Sequence, residues 1–231
     1  MATGAEPVRA PGWGLLAQWH DLIDARDPRF TLLAPVSEVD EPLERMESSV
    51  RVSMWNAQRH HTIYAMRDSA EIDEGMRRRG VGLRFVLPRR IAERRCPLAS
   101  SFELGLRLAP VAHPLMVLDR RLVVLGDSTG DSVWTSSAPE VVEKATGFYE
   151  QLWQAAEPAV PEGEEPPFTR RMVDIAFLLV DGAADREVAR ALGVSERTVS
   201  SDVREMSRRL GARSRAHAIA LISGGRRLTR P

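Results

Sequence analysis

The chain has 231 residues with 32 basic and 32 acidic side chains, one cysteine (Cys96) and 43% hydrophobic residues, enough for one large folded unit or two smaller ones of ordinary composition. No apolar run approaches the roughly 18 residues that span a bilayer, and one cysteine excludes an intramolecular disulfide and a thiolate-rich zinc site. Residues 1–11 lack a basic segment followed by an apolar one, so no signal peptide is expected, and a cytoplasmic protein without membrane contact is expected.

Elements follow in chain order. Trp13–Ile23 reads as a short helix with Leu15, Leu16, Trp19 and Leu22 on one face; the rest of residues 1–36 has no clear pattern. Glu38–Gln58 reads as a helix, with Val39, Leu43, Met46, Val50 and Met54 near helical spacing. His61–Met66, rich in β-branched and aromatic residues, reads as a strand, which would send His60 and His61 to opposite faces rather than to one metal. Ser69–Arg79 reads as a helix stopped by Gly80. Val81–Leu87, Leu104–Leu108, Leu115–Leu118 and Leu122–Leu125 read as strands; Asp119-Arg120-Arg121 between the last two is a hairpin signal. Val133 and Trp134 suggest one more strand. Pro139–Ala155 is a strong helix with Val142, Ala145, Phe148, Tyr149 and Leu152 on its apolar face. Strands alternating with helices predict an α/β domain.

Residues 156–167 (AEPAVPEGEEPP) hold four prolines and a glycine, a composition unsuited to helix or strand and read as a linker. Charge changes across it. Residues 168–231 carry 13 arginines against 7 acidic residues, a balance of +6, while residues 1–167 carry 19 basic against 25 acidic residues, a balance of −6. A basic module joined to an acidic one suggests a polyanion-binding end and a sensor or partner end. Lys144 is the sole lysine.

Beyond the linker four helices are expected. Arg170–Val180 has Met172, Ile175, Ala176 and Leu179 at helical spacing. Asp185–Ala191 is short and ends in the turn Leu192-Gly193-Val194. Ser195 is an N-cap for Glu196–Leu210, whose Val199, Val203, Met206 and Leu210 must face a core. Arg197, Ser201, Arg204 and Arg208 share another face, with Ser200 beside them. Such a helix fits the major groove, where hydroxyls and guanidinium groups read base edges. Ser214 caps the last helix, with Ala216, Ile219, Ala220 and Ile222 as its apolar residues.

Residues 168–223 resemble the LuxR/FixJ-type DNA-binding domain without gaps. The resemblance rests on Phe168-Thr169, Gly182, the run REVARALGVSERTVSSDV from Arg186 to Val203, Arg209 to Arg215, and Ala218. It implies a helix-turn-helix with Glu196–Leu210 as recognition helix and the last helix used for dimerisation. It assigns base-edge positions to Ser200, Ser201 and Arg204, and phosphate-facing ones to Ser195, Arg197, Thr198 and Arg208. This sequence departs from the family at Ser200 (usually lysine), Asp202 (often histidine or asparagine), Met172 (usually glutamate) and Ala184 (usually a serine cap, a role Asp185 is positioned to take). Asp202 is expected to face aside or to read a cytosine amino group.

Residues 38–155, through RRRGVGLRFVLP (77–88), HPLMVLDRRLVVLGD (113–127) and the closing helix, resemble the phospholipase-D-like effector half of TrmB-like regulators. The phospholipase D pattern HxKxxxxD is not kept: His113 and Asp119 are one residue too close, and Leu115 occupies the lysine position. A non-catalytic domain is therefore expected, with no catalytic residues, metal ligands or cofactor. Asp119, Arg120 and Arg121 are read as a solvated turn rather than an anion site.

The expected organisation is an N-terminal extension (1–36), an α/β phospholipase-D-like sensor or interaction domain (37–155), the linker (156–167), an all-α four-helix LuxR-type domain (168–224) and a basic tail (225–231). The expected partners are double-stranded DNA, a second copy of the chain, a small-molecule or protein effector, and RNA polymerase. The other classes left open are a phospholipase-D-type phosphodiesterase with a DNA-binding tail and a protein-interaction adaptor.

Overall fold

A computed structural model describes residues 13–94 and 105–224. Cys96, the start of the Leu104–Leu108 strand and the basic tail fall outside them. The elements in chain order are α1 (Trp13–Asp24), β1 (Thr31–Pro35), a 3-10 turn (Val36–Glu38), α2 (Asp40–Ser49), β2 (Ser53–Ala57), α3 (Ile63–Asp68), α4 (Ala70–Arg78), β3 (Gly82–Leu87), α5 (Arg89–Arg94), β4 (Leu106–Leu108), β5 (Leu115–Leu118), β6 (Leu122–Gly126), β7 (Ser132–Ser136), α6 (Pro139–Ala155), β8 (Glu157–Pro158), α7 (Arg170–Val180), α8 (Asp185–Leu192), α9 (Glu196–Leu210) and α10 (Arg215–Ile222). None of these helices is long and apolar enough to cross a membrane.

Contacts group the described residues into two units, each discontinuous in sequence. The first takes residues up to 59, 74–86 and 109–156; the second takes 60–73, 87–108 and those from 157 onward.

The first unit is α/β. Its strands lie in the order β1-β7-β6-β5-β2-β3. Only β2 and β3 run parallel (Trp55 opposite Arg84), while β5 pairs antiparallel with β2 (Trp55 opposite Val117). All five β2 residues are buried, as befits a central strand. Alternate residues of the strands, including Trp55, Ala57, Leu115, Val117, Val123 and Leu125, form one apolar layer. Leu16, Trp19 and Ile23 of α1 and Val142, Ala145, Tyr149 and Leu152 of α6 complete that core. Each fully buried large apolar side chain contributes roughly 1.5–3 kcal/mol by transfer from water. The Tyr149 ring stacks on Trp55 with centroids 5.3 Å apart, and its hydroxyl donates to the Arg84 carbonyl at 2.9 Å. This buried donor therefore ties α6 to β3.

The β5–β6 hairpin follows from its turn. Asp119 and Arg120 both adopt positive φ, 51° and 52°, and the Arg121 N–H returns to the Leu118 carbonyl at 2.9 Å. Two positive-φ residues match the right-handed twist of the flanking strands. The strain at Asp119 is offset by its carboxylate, which accepts from the backbone N–H of Val52 at 2.7 Å, Ser53 at 3.0 Å and Arg51 at 3.0 Å.

Several local expectations are corrected. The helix read over 38–58 stops at Ser49, and Val50 turns extended (φ −61°, ψ 137°); Met54 lies in β2, where burial on both faces removes the alternation that marks a strand. His61–Met66 is not a strand. The Thr62 side chain accepts from the Ala65 N–H at 3.0 Å, and Ile63 and Met66, one turn apart, are the buried residues of α3. An N-cap outweighs the β-branched composition. His60 and His61 therefore precede a helix. Within 156–167, Glu157 and Pro158 form β8, antiparallel to β4. β1 falls in the N-terminal stretch that showed no pattern.

The second unit holds α3, the β4–β8 pair and the bundle α7–α10. On its α3 side, Arg67 pairs with Asp181 at the end of α7.

Candidate nucleic-acid interface

The bundle is built by helix stops and caps. Thr169 accepts from the Met172 N–H at 3.3 Å to start α7, and the Glu187 carboxylate accepts from the Ala184 N–H at 2.8 Å to start α8. Gly193 (φ 65°) ends α8 and Gly211 (φ 63°) ends α9; the N–H groups of Val194 and Ala212 reach back to Ala189 and Ser207 at 3.0 and 2.8 Å. These are left-handed stops that glycine makes without steric cost. Between α8 and α9 the chain turns in three residues, and Ser195 accepts from the Thr198 N–H at 3.1 Å.

Two faces of α9 then separate. Val199, Val203, Met206 and Leu210 are buried, as their spacing requires. Ser195, Arg197, Ser200, Ser201, Arg204 and Arg208 are exposed and Thr198 is half-buried. Among the described residues no ion pair forms at Arg197 or Arg204, whereas Arg208 donates twice to Glu205, at 2.8 and 2.6 Å. Glu205 also accepts from Arg209 at 2.7 Å, and the two guanidinium groups, Arg208 first, draw its pKa down to about 2. The Ser195 hydroxyl lies 2.8 Å from that of Thr198.

Asp202 is buried and faces aside. Arg171 of α7 donates to it through Nε at 2.6 Å and Nη2 at 3.3 Å, which removes a carboxylate from the exposed surface of α9.

Two residues complete the site: Asp185, expected only as a cap, and Arg215, to which the sequence assigns no role. Asp185, at the first position of α8, does not cap its helix; it accepts from Ser200 at 2.8 Å and pairs with Arg215. Arg215 also donates to the Ala183 carbonyl at 3.1 Å. The Arg215 hydrogen bond, then that of Ser200, lowers the Asp185 pKa. These long-range pairs have no periodicity for a sequence to show; only the ionic types at both ends hint at them. In α10, Ala218, Leu221 and Ile222 face the core, while Ala216 and Ala220 are exposed.

In the first unit His113 packs edge-on against His20 with ring centroids 4.5 Å apart. Burial, then the charges of His20 and Arg59, lowers its pKa. Arg120 lies 4.8 Å from the Trp55 ring centre and 3.7 Å from Glu150. Among the described residues no three His, Cys, Asp or Glu side chains gather as metal ligands would.

A supporting helix, a three-residue turn and a capped helix with one buried and one exposed serine–arginine face define a helix-turn-helix of the DNA-binding class. Residues 166–222 match the family model of bacterial regulatory proteins, luxR family; this bundle is a LuxR-family DNA-binding domain. No curated protein matches the chain in sequence. Among solved structures the chain is similar to TrmBL2, an archaeal chromatin protein (14% identity, TM-score 0.44, 63% of this chain and 60% of that one). The match thus spans about 60% of TrmBL2. It is also similar to Nuc of Salmonella typhimurium, a phospholipase D family member (13% identity, TM-score 0.40, 50% of this chain and 86% of that one). NucT from Helicobacter pylori is a further neighbour (14% identity, TM-score 0.44, 56% of this chain and 98% of that one).

Proposed function

We propose that the chain is a sequence-specific transcription regulator whose α9 enters the major groove of double-stranded DNA. The observation that carries this reading is the exposed face of α9, on a helix whose Asp202 is drawn away by Arg171. Ser200, Ser201 and Arg204 address base edges, and Ser195, Arg197, Thr198 and Arg208 address phosphates. Phosphate contacts set affinity and its salt dependence, and base contacts set the site. Two copies bind related half-sites, with RNA polymerase as the downstream partner.

Residues 37–155 serve as a non-catalytic sensor or dimerisation domain that answers to a small-molecule or protein effector, across the linker 156–167 from the DNA-binding domain 168–224. What supports the absence of catalysis is the fate of the phospholipase-D-like positions. Leu115, where that chemistry needs a phosphate-holding cation, is buried in the apolar core. Asp119 is held by three backbone amides. Leu115 cannot supply the charge that the lysine of that pattern sets against the developing oxyanion, the kind of stabilisation on which phosphoryl transfer most depends.

The test is selection of genomic fragments by the full-length protein and by Arg204→Ala over a range of salt. The expected result is an enriched, roughly symmetric sequence, binding that weakens as salt rises, and a relaxed preference in the variant. Sequence-blind, salt-insensitive binding would instead favour the adaptor reading.

A further inference from the structure

Asp185 joins three helices, and its two oxygens serve different partners. Oδ1 pairs with Arg215 of α10, and Oδ2 accepts from the Ser200 hydroxyl of α9 at 2.8 Å. A carboxylate held ionised by a guanidinium is an acceptor only. The single hydroxyl proton of Ser200 is therefore directed at Asp185. What Ser200 presents outward is its lone pairs.

We propose that Asp185 is a specificity-determining positioning residue: by taking the only proton of Ser200 it turns a hydroxyl able to donate or accept into an acceptor, so the base facing Ser200 is one that offers an amino group, cytosine or adenine. This rests on the reading that α9 lies in the major groove with Ser200 toward the bases. In that groove cytosine presents its N4 amino group and adenine its N6 amino group, whereas guanine N7 and O6 and thymine O4 are acceptors. An acceptor set against an acceptor leaves both unsatisfied on desolvation. A serine without such a partner reads either kind of edge. The consequence is a reversal of polarity: lysine, which the resemblance places at this position, only donates, whereas Ser200 backed by Asp185 only accepts. Arg215 completes the device, since it keeps Asp185 charged and is itself anchored by donating to the Ala183 carbonyl at 3.1 Å.

The experiment is selection from random-sequence duplex DNA with the full-length protein, Ser200→Ala, Asp185→Ala and the double variant. In the parent protein, the position that Ser200→Ala randomises is expected to carry cytosine or adenine, favoured about tenfold over guanine or thymine. Asp185→Ala should still bind, with that preference reduced to about twofold or less at this position alone. The double variant should match Ser200→Ala, because the two act as one unit. Guanine or thymine at that position in the parent, a motif indifferent to Ser200→Ala, or an Asp185→Ala variant that weakens on all sequences with its preference intact would each overturn the assignment while leaving α9 as the reading helix. If Asp185→Ala does not fold, Asp185→Asn takes its place: Arg215 holds the amide oxygen, so the amide N–H donates to Ser200 and frees its proton, and the preference for cytosine or adenine should again fall, whereas an unchanged preference overturns the assignment. No enriched motif from the parent would overturn the DNA-reading function and this assignment with it.

Discussion

Arg171 of α7 and Asp202 of α9 are joined by two hydrogen bonds, at 2.6 and 3.3 Å, with the aspartate side chain 11% exposed and the arginine 50%. The pair clamps α9 to α7, the first helix of the bundle, and keeps a carboxylate off the exposed face of α9. Removing Arg171 would leave that carboxylate buried and unpaired, which costs more than removing both partners. Half of the arginine is in water, so the expected loss for Arg171→Ala is about 1–2 kcal/mol. Urea unfolding of the single variant against Arg171→Ala/Asp202→Asn measures it, and the double variant should be the more stable of the two.

Asp127 makes a second, pH-dependent contribution. Its carboxylate accepts from the Gly130 N–H at 2.6 Å, the Asp131 N–H at 3.0 Å and the Thr129 hydroxyl at 3.0 Å, and it also bonds Ser132. Burial opposes the shift, but the hydrogen bonds, led by Ser132, lower its pKa from 3.8 to about 2. A depressed folded-state pKa gives stability that is present in full above 3.8 and is lost as pH falls through about 2. We expect Asp127→Ala to cost about 1 kcal/mol at neutral pH after allowance for solvent screening. That deficit should shrink steadily from pH 5 to pH 2 (about the range of the titration). A carboxyl resonance followed by NMR should show a midpoint well below that of a free aspartate.

The second half of the fold was legible because its signals are local. Gly193, Ser195 and Gly211 act within one turn of their own positions, so the turn and both ends of α9 follow from spacing and residue type. The buried stripe from Val199 to Leu210 follows from period alone. The fold was less legible where burial on both faces erased alternation, as in β2 of the first unit, and where one N-cap hydrogen bond overrode composition, as at Thr62 of the second. The grouping of α3 with the bundle depends on long-range pairs such as Arg67–Asp181, which no window of sequence contains. For the same reason the exposed face of α9 was read in advance, but the partners of Ser200 and Asp202 behind it were not.

The phospholipase-D-like positions give a direct test of the non-catalytic reading. Asp119 caps the amides of Arg51, Val52 and Ser53, and these hydrogen bonds lower its pKa against the opposing effect of burial. Asp119→Ala should therefore act on stability, by about 1–3 kcal/mol from orphaned donors and positive-φ strain. His113→Ala should leave phosphodiester hydrolysis at the background of the parent protein. Turnover of a bis-nitrophenyl phosphate ester by the parent that His113→Ala abolishes would restore the enzyme reading.

The stop between α8 and α9 gives the last test. Gly193 holds φ at 65°, and a Cβ added there meets no atom within 4 Å. Gly193→Ala would therefore meet no steric clash with its surroundings; its cost is the backbone energy of a non-glycine residue in the left-handed region, about 1 kcal/mol. Asn, which tolerates that region better, should recover part of the loss. Because the turn sets the angle at which α9 leaves α8, thermal unfolding should rank the parent above Asn and Asn above Ala. Base preference should stay the same in all three, since no base-reading side chain changes. A Gly193→Ala variant as stable as the parent, or one whose preferred sequence shifts, would mean that the turn relaxes into another geometry and carries α9 with it.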